Sequence, residues 1–156
     1  MPKVSATTEV AAAPGAIFDF LADYRNIPRL QPHFDSAKIA GEIERGLGAV
    51  MDLRGSFHGL PINTRERIIT YTPPHRLVSI GEGAILSRTT WELRPLERDA
   101  DQGKPVTTVS VSVEYKAGGP LRGIFTGWAM SLFHKEIQGM TDDSLRRLQA
   151  QFATDG

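Results

Sequence analysis

Residues 108–120 read TVSVSVEYKAGGP, and the reading of this stretch decides the fold. Val109, Val111, Val113 and Tyr115 alternate with Thr108, Ser110, Ser112 and Glu114. A period of two puts the apolar set on one face of a strand and the polar set on the other, so the sheet is covered on one side only. Ala117-Gly118-Gly119-Pro120 ends the strand, since glycine and proline are strong interrupters of regular structure. Beyond it the period changes. Leu121, Phe125, Trp128, Leu132, Phe133, Ile137, Leu145, Leu148 and Phe152 are the apolar residues of a long helical segment. Gly127 and Gly139 each weaken that helix by about 1 kcal/mol relative to alanine. Thr141-Asp142-Asp143 offers a fresh helix cap, so a bend or short break is expected between Gly119 and Thr141.

Upstream, the chain reads as strands. Val4, Ala6, Thr8 and Val10 alternate with Lys3, Ser5, Thr7 and Glu9. Pro14 suits the first position of a helix, where its missing N–H has no partner to lose. Ile17, Phe18, Leu21 and Tyr24 then follow at helical spacing, and Pro28 to Leu30 starts a second short helical turn. From Phe34 the two-residue period returns: Ala37 and Ile39; then Met51, Leu53 and Phe57 after a turn at Gly46 and Gly48; then Ile62 to Tyr71 after a turn at His58-Gly59. Pro73-Pro74 stops that strand. A short strand, Arg76 to Ile80, is expected to turn at Gly81-Glu82-Gly83, and Ser87, Thr89, Trp91 and Leu93 form the inward face of the next. A polar loop from Glu97 to Pro105 precedes the deciding strand.

Strands joined by short turns pair antiparallel, because parallel pairs need long crossovers. A sheet with one apolar face needs a cover, and the C-terminal helix is the element that can supply it. The expectation is an α+β single domain spanning residues 1–156, about seven antiparallel strands curved around a long C-terminal helix, with short helices after strand 1. A chain of 156 residues suits one domain with a core of its own.

Composition excludes several classes of function. Eighteen basic residues balance eighteen acidic ones, so no charge excess draws the chain to nucleic acid or anionic lipid. With no cysteine there is no disulfide, thiol nucleophile or thiolate metal site. The N-terminus lacks the apolar run of a secretory signal, and no stretch approaches the roughly 20 apolar residues of a membrane span. A cytoplasmic protein without stable membrane insertion, monomeric or homodimeric, is the expectation. His33, His58, His75 and His134 form no paired ligand spacing, and protein zinc sites need three or four ligands, so no metal is expected. The glycine pairs do not continue as a dinucleotide-binding loop, and neither a phosphate loop nor a nucleophile elbow occurs. No cofactor is expected.

Several phrases together carry a resemblance: Ala13-Pro14 with Ile17-Phe18-Asp19-Phe20-Leu21, Tyr24-Arg25-Asn26-Ile27-Pro28, Tyr71-Thr72-Pro73-Pro74-His75-Arg76-Leu77, Thr90-Trp91-Glu92-Leu93-Arg94-Pro95 and Val113-Glu114-Tyr115. In this order and spacing the chain resembles the START-like, Bet v 1-like superfamily (SRPBCC), the polyketide cyclase/dehydrase and lipid-transport group. Where that group often closes the second phrase with tryptophan, this chain has Pro28-Arg29-Leu30. The resemblance implies a helix-grip fold with an elongated cavity between helix and sheet, holding a lipid, sterol or polyketide, with catalysis in some members.

Alternation puts Met51, Leu53, Phe57, Trp91, Val109, Val111, Val113 and Tyr115 on the face opposed by Phe125, Trp128, Phe133 and Ile137. These residues either close into a core or line a ligand cavity; with Ser87 and Thr89 as polar contacts they are the candidate ligand-binding set. Glu66 is a candidate general base if it points inward, but both faces of its strand are mixed. His134 and Tyr115 are candidate proton carriers. The leading expectation is a carrier or sensor for a small hydrophobic molecule. The alternatives are a cyclase or dehydratase using the same cavity, and an interaction module whose cavity is vestigial.

Overall fold

The computed structural model describes residues 2–83, 85–96, 103–117 and 128–153, the side chains of Ala117 and Trp128 excepted. Strand β1 (Lys3–Val10) buries Val4 and Val10 and leaves Lys3, Ser5, Thr7 and Glu9 exposed. Pro14 opens helix α1 (Pro14–Ala22). Asp23 accepts the Arg25 backbone N–H at 3.0 Å, starting a 3-10 turn (Tyr24–Asn26) that runs into the single-turn α2 (Ile27–Leu30). Five further strands follow before the deciding one: β2 (Phe34–Ile39), β3 (Val50–Phe57), β4 (Leu60–Thr72), β5 (Arg76–Gly83) and β6 (Ile85–Pro95). The stretch that opened the reading is β7 (Thr107–Ala117), and helix α3 is Trp128–Gln151.

The strands form one sheet in the order β1-β7-β6-β5-β4-β3-β2, each neighbouring pair antiparallel. The first strand therefore crosses to pair with the last, Val4 opposite Val113 and Ala6 opposite Val111. Helix α3 lies along β1: the Gln138 amide donates to the Ser5 carbonyl at 3.1 Å, and that of Gln149 to the Glu9 carbonyl at 2.9 Å. Leu145 and Leu148 bury their side chains against the sheet.

Two local expectations are corrected. Gly81-Glu82-Gly83 is not a turn but the end of β5, paired through Gly83 with Thr64. These glycines serve close approach. A Cβ on Gly81 would stand 2.7 Å from the Ser87 hydroxyl oxygen, and one on Gly83 2.6 Å from the Asn63 carbonyl oxygen. Nor does the helix break at Gly139 or restart at Thr141. The Thr141 hydroxyl donates to the Ile137 carbonyl at 2.7 Å, one turn back, instead of capping a new helix. The part of that expectation covering residues 119–127 lies outside the described residues, as does most of the Glu97–Pro105 loop.

The inner face holds three clusters of buried apolar residues, the first and third joined, among the described residues, only through half-buried Ile68. One joins Phe18, Trp91, Leu93, Val109 and Val111 to Leu145 and Leu148; a second joins Val4, Tyr115 and Phe133; a third joins Phe34, Met51 and Leu53. The register explains the separation. Glu66, Gly81, Ser87 and Tyr115 face one another along one row across β4, β5, β6 and β7, and Ile68, Ser79, Thr89 and Val113 along the next. At the centre of these rows, on β5 and β6, stand the small or polar Gly81, Ser79, Ser87 and Thr89, where large apolar side chains would have filled the space between the clusters.

Candidate functional site

A cavity of about 170 Å³ occupies that centre, between the sheet and α3. A groove of about 360 Å³ adjoins it at the surface, formed by Leu30 to His33, the tip of the β3–β4 hairpin and the α3 residues Glu136, Gly139, Met140 and Asp143. Gln31, His33, Phe57, Met140 and Ser144 belong to both walls, so the cavity leads into the groove. At the hairpin tip His58 takes a positive φ of 51°, and its Nε2 lies 2.7 Å from the Glu136 carboxylate, pinning the hairpin to the helix across the groove. Ser144 closes the other side. Its buried hydroxyl lies 3.0 Å from the Leu30 carbonyl and ties α3 to α2.

Of the residues expected from sequence, Phe57, Ser87, Thr89, Trp91, Val111, Val113, Tyr115, Phe133 and Ile137 line the cavity. Met51 and Leu53 are not in its wall. They pack with Phe34 in the third cluster, which Tyr24 and Ile27 of the short helical turns cover. Val109 is fully buried in the first cluster, beyond the cavity. Phe125 and the Trp128 side chain lie outside the described residues. His134 does not line the cavity either; its Nδ1 hydrogen-bonds the Tyr115 hydroxyl from behind, with the rings tilted at 5.9 Å.

Sequence reasoning missed Gln31, His33, Phe34, Ile62, Asn63, Thr64, Ile85, Met140, Thr141 and Ser144. A signal existed for some. Ile62 and Thr64 share the parity of Glu66 on β4, and Met140, Thr141 and Ser144 continue the helical face of Ile137. Gln31 and His33 precede a strand whose register shifts between Phe34 and Ser36, and nothing local announces such a bulge.

Glu66 points inward, with Arg65 and Arg67 exposed on the opposite face. Its Oε1 accepts the Ser79 hydroxyl at 3.1 Å. Its half-buried surface is turned to the cavity, away from bulk water; burial raises its pKa, and the Ser79 bond opposes that rise in part. Burial alone lowers the pKa of His33 to about 4, so its ring is neutral near pH 7. Burial also raises that of the Tyr115 phenol. Among the described residues no lysine or arginine lines the cavity, and no three histidine or carboxylate side chains converge as a metal site would need. Among them, too, no helix is long and apolar enough to cross a membrane.

The site is thus an apolar chamber with a polar row across its sheet wall, able to enclose an apolar body and hydrogen-bond one end of it. The comparisons with known proteins agree with the fold. A family model described as polyketide cyclase/dehydrase and lipid transport matches residues 1–153. No curated protein matches the sequence. Among solved structures, a START superfamily protein from Mycobacterium smegmatis superposes with a TM-score of 0.73 at 17% identity, covering 97% of this chain and 99% of that one. A protein from Thermus thermophilus gives 0.67 at 15% identity, covering 97% and 100%. The di-domain ARO/CYC BexL from the BE-7585A biosynthetic pathway gives 0.71 at 15% identity, covering 96% of this chain and 46% of that one. Identities this low speak to fold alone. The helix-gripping sheet and a family match across residues 1–153 lead to one assignment: the chain belongs to the polyketide cyclase/dehydrase and lipid-transport family of the START-like superfamily.

Proposed function

We propose that this chain binds a small hydrophobic molecule, of lipid, isoprenoid or polyketide type, between its sheet and C-terminal helix, and acts as a carrier or sensor. The observation that carries this reading is the chamber itself. Its walls are Trp91, Val111, Val113, Phe133 and Ile137, and it leads to a groove at the surface. Apolar pockets with a few convergent polar groups are the usual form of small-molecule sites. Native mass spectrometry of the purified protein, with organic extraction of what co-purifies, tests it. A discrete hydrophobic mass is expected, and a ligand present at 100 times its Kd should add about 2.7 kcal/mol of stability. A clean apo mass, with no thermal shift across a panel of hydrophobic ligands, would count against the reading.

A second reading, an enzyme of cyclase or dehydratase type, is favoured by one observation. Glu66 and Tyr115 both face the chamber in the same cross-strand row, with His134 behind the phenol. A carboxyl and a phenol so placed can exchange protons with a bound substrate. In that case the wild type turns over its substrate and Glu66→Ala abolishes that turnover while the protein stays folded, whereas a carrier shows no turnover to lose.

A further inference from the structure

The chamber carries an acid and, among the described residues, no lysine or arginine to match it. Glu66 Oε1 is occupied by the Ser79 hydroxyl. Among the described residues the carboxyl makes no other hydrogen bond and no ion pair. Arg65, its neighbour in sequence, is bound to Asp52 on the outer face at 2.9 Å. A carboxylate withdrawn from water without a counter-charge is costly. Beside it the wall offers a hydroxyl oxygen that can accept a hydrogen bond. Gly81, opposite Glu66, has no side chain, and the Ser87 hydroxyl stands over it, 2.7 Å from where a Cβ would be. Thr64, next along the inner face of β4, lines the same wall and turns its methyl toward Gly81, 3.2 Å from where a Cβ would be.

Building on the hydrophobic-ligand reading, we propose that the chamber takes an amphiphile whose polar end is an amine, its ammonium seated on Glu66 and its apolar body against Trp91, Val111 and Phe133. An ammonium brings the missing counter-charge and up to three donors. One makes a charge-assisted bond to Glu66, and the Ser87 hydroxyl oxygen can accept another. A carboxylic acid ligand would instead set like charge beside Glu66.

The carboxyl must be ionised to hold an ammonium, and burial raises its pKa. Amine affinity therefore falls as pH is lowered through that raised value. The other titratable groups in the wall are His33, neutral down to about pH 4, and Tyr115, whose phenol burial keeps protonated. From α3, Ile137, Met140 and Thr141 face the chamber, and none of them titrates.

Isothermal titration of the full chain with octylamine, octanol and octanoate tests the proposal. Octylamine is expected to bind at least about tenfold more tightly than octanol, and octanoate more weakly than either. In Glu66→Gln the ratio of amine to alcohol affinity should fall to near unity. Should that variant not fold, the wild-type ratio carries the test: it should be larger at about pH 8 than at about pH 5, an alkylamine remaining protonated at both. Octanol binding as tightly as octylamine, or an amine preference that survives Glu66→Gln, overturns the amine assignment and leaves the hydrophobic cavity standing. If none of the three binds, the cavity reading falls with it.

Discussion

His33 stands where β2 begins, its ring 4.3 Å from that of Phe34 and its carbonyl accepting the Ser56 N–H at 3.0 Å. Burial holds its pKa near 4, against an ordinary value of 6.5. Between those values the unfolded chain takes up a proton that the folded protein refuses, so stability is fully present above pH 6.5 and is lost as pH falls toward 4. At about 1.4 kcal/mol per pKa unit the full shift would be worth roughly 3 kcal/mol. The ring is only partly enclosed, and screening reduces this to about 1–2 kcal/mol. His33→Gln should therefore flatten the dependence of the urea midpoint on pH across that window. An acid limb as steep as wild type in the variant would assign the loss to other groups.

Among the elements, β2 depends on one position in its neighbour. Gly55 of β3 faces Phe34, and a Cβ there would stand 1.8 Å from the His33 carbonyl oxygen and 2.7 Å from the Phe34 Cα. Both obstacles are backbone, so no side-chain rotation relieves them. Gly55→Ala must lift the start of β2, losing the Ser56–His33 hydrogen bond and pulling Phe34 away from Met51 and Leu53. A loss of about 3 kcal/mol or more in chemical denaturation is expected. A variant within about 0.5 kcal/mol of wild type would show that this edge strand yields without penalty. Gly139, also read from sequence as a weak point, is a different case. A Cβ there would meet nothing within 4 Å, and α3 runs through it unbroken. Glycine lowers the propensity of a helix, but packing against the sheet decides whether the helix continues.

In the molecule as a whole, alternation made the sheet, its inner face and its helical cover legible, because a two-residue period is local information. Register is not local. That Glu66 turns inward, and stands in one row with Gly81, Ser87 and Tyr115, follows from strands up to 49 positions apart meeting at a particular offset. The mixed faces of β4 could not announce it. Nor could alternation separate wall from core, since Val109 and Val113 share one face of one strand. The difference lies in what stands across the row. Val109 pairs with Leu93 and Thr8 and is fully enclosed; Val113 pairs with Thr89 and Val4 beside the chamber. The same substitution at the two positions therefore probes whether the chamber is open in solution. Val109→Phe forces extra volume into close packing and should cost about 2–3 kcal/mol. Val113→Phe can turn its ring into free space, so it should cost under about 1 kcal/mol while blocking octanol. Urea denaturation and titration of both variants measure this. Equal destabilisation would mean that the three clusters close over the chamber when it is empty, and that a ligand must part them to enter.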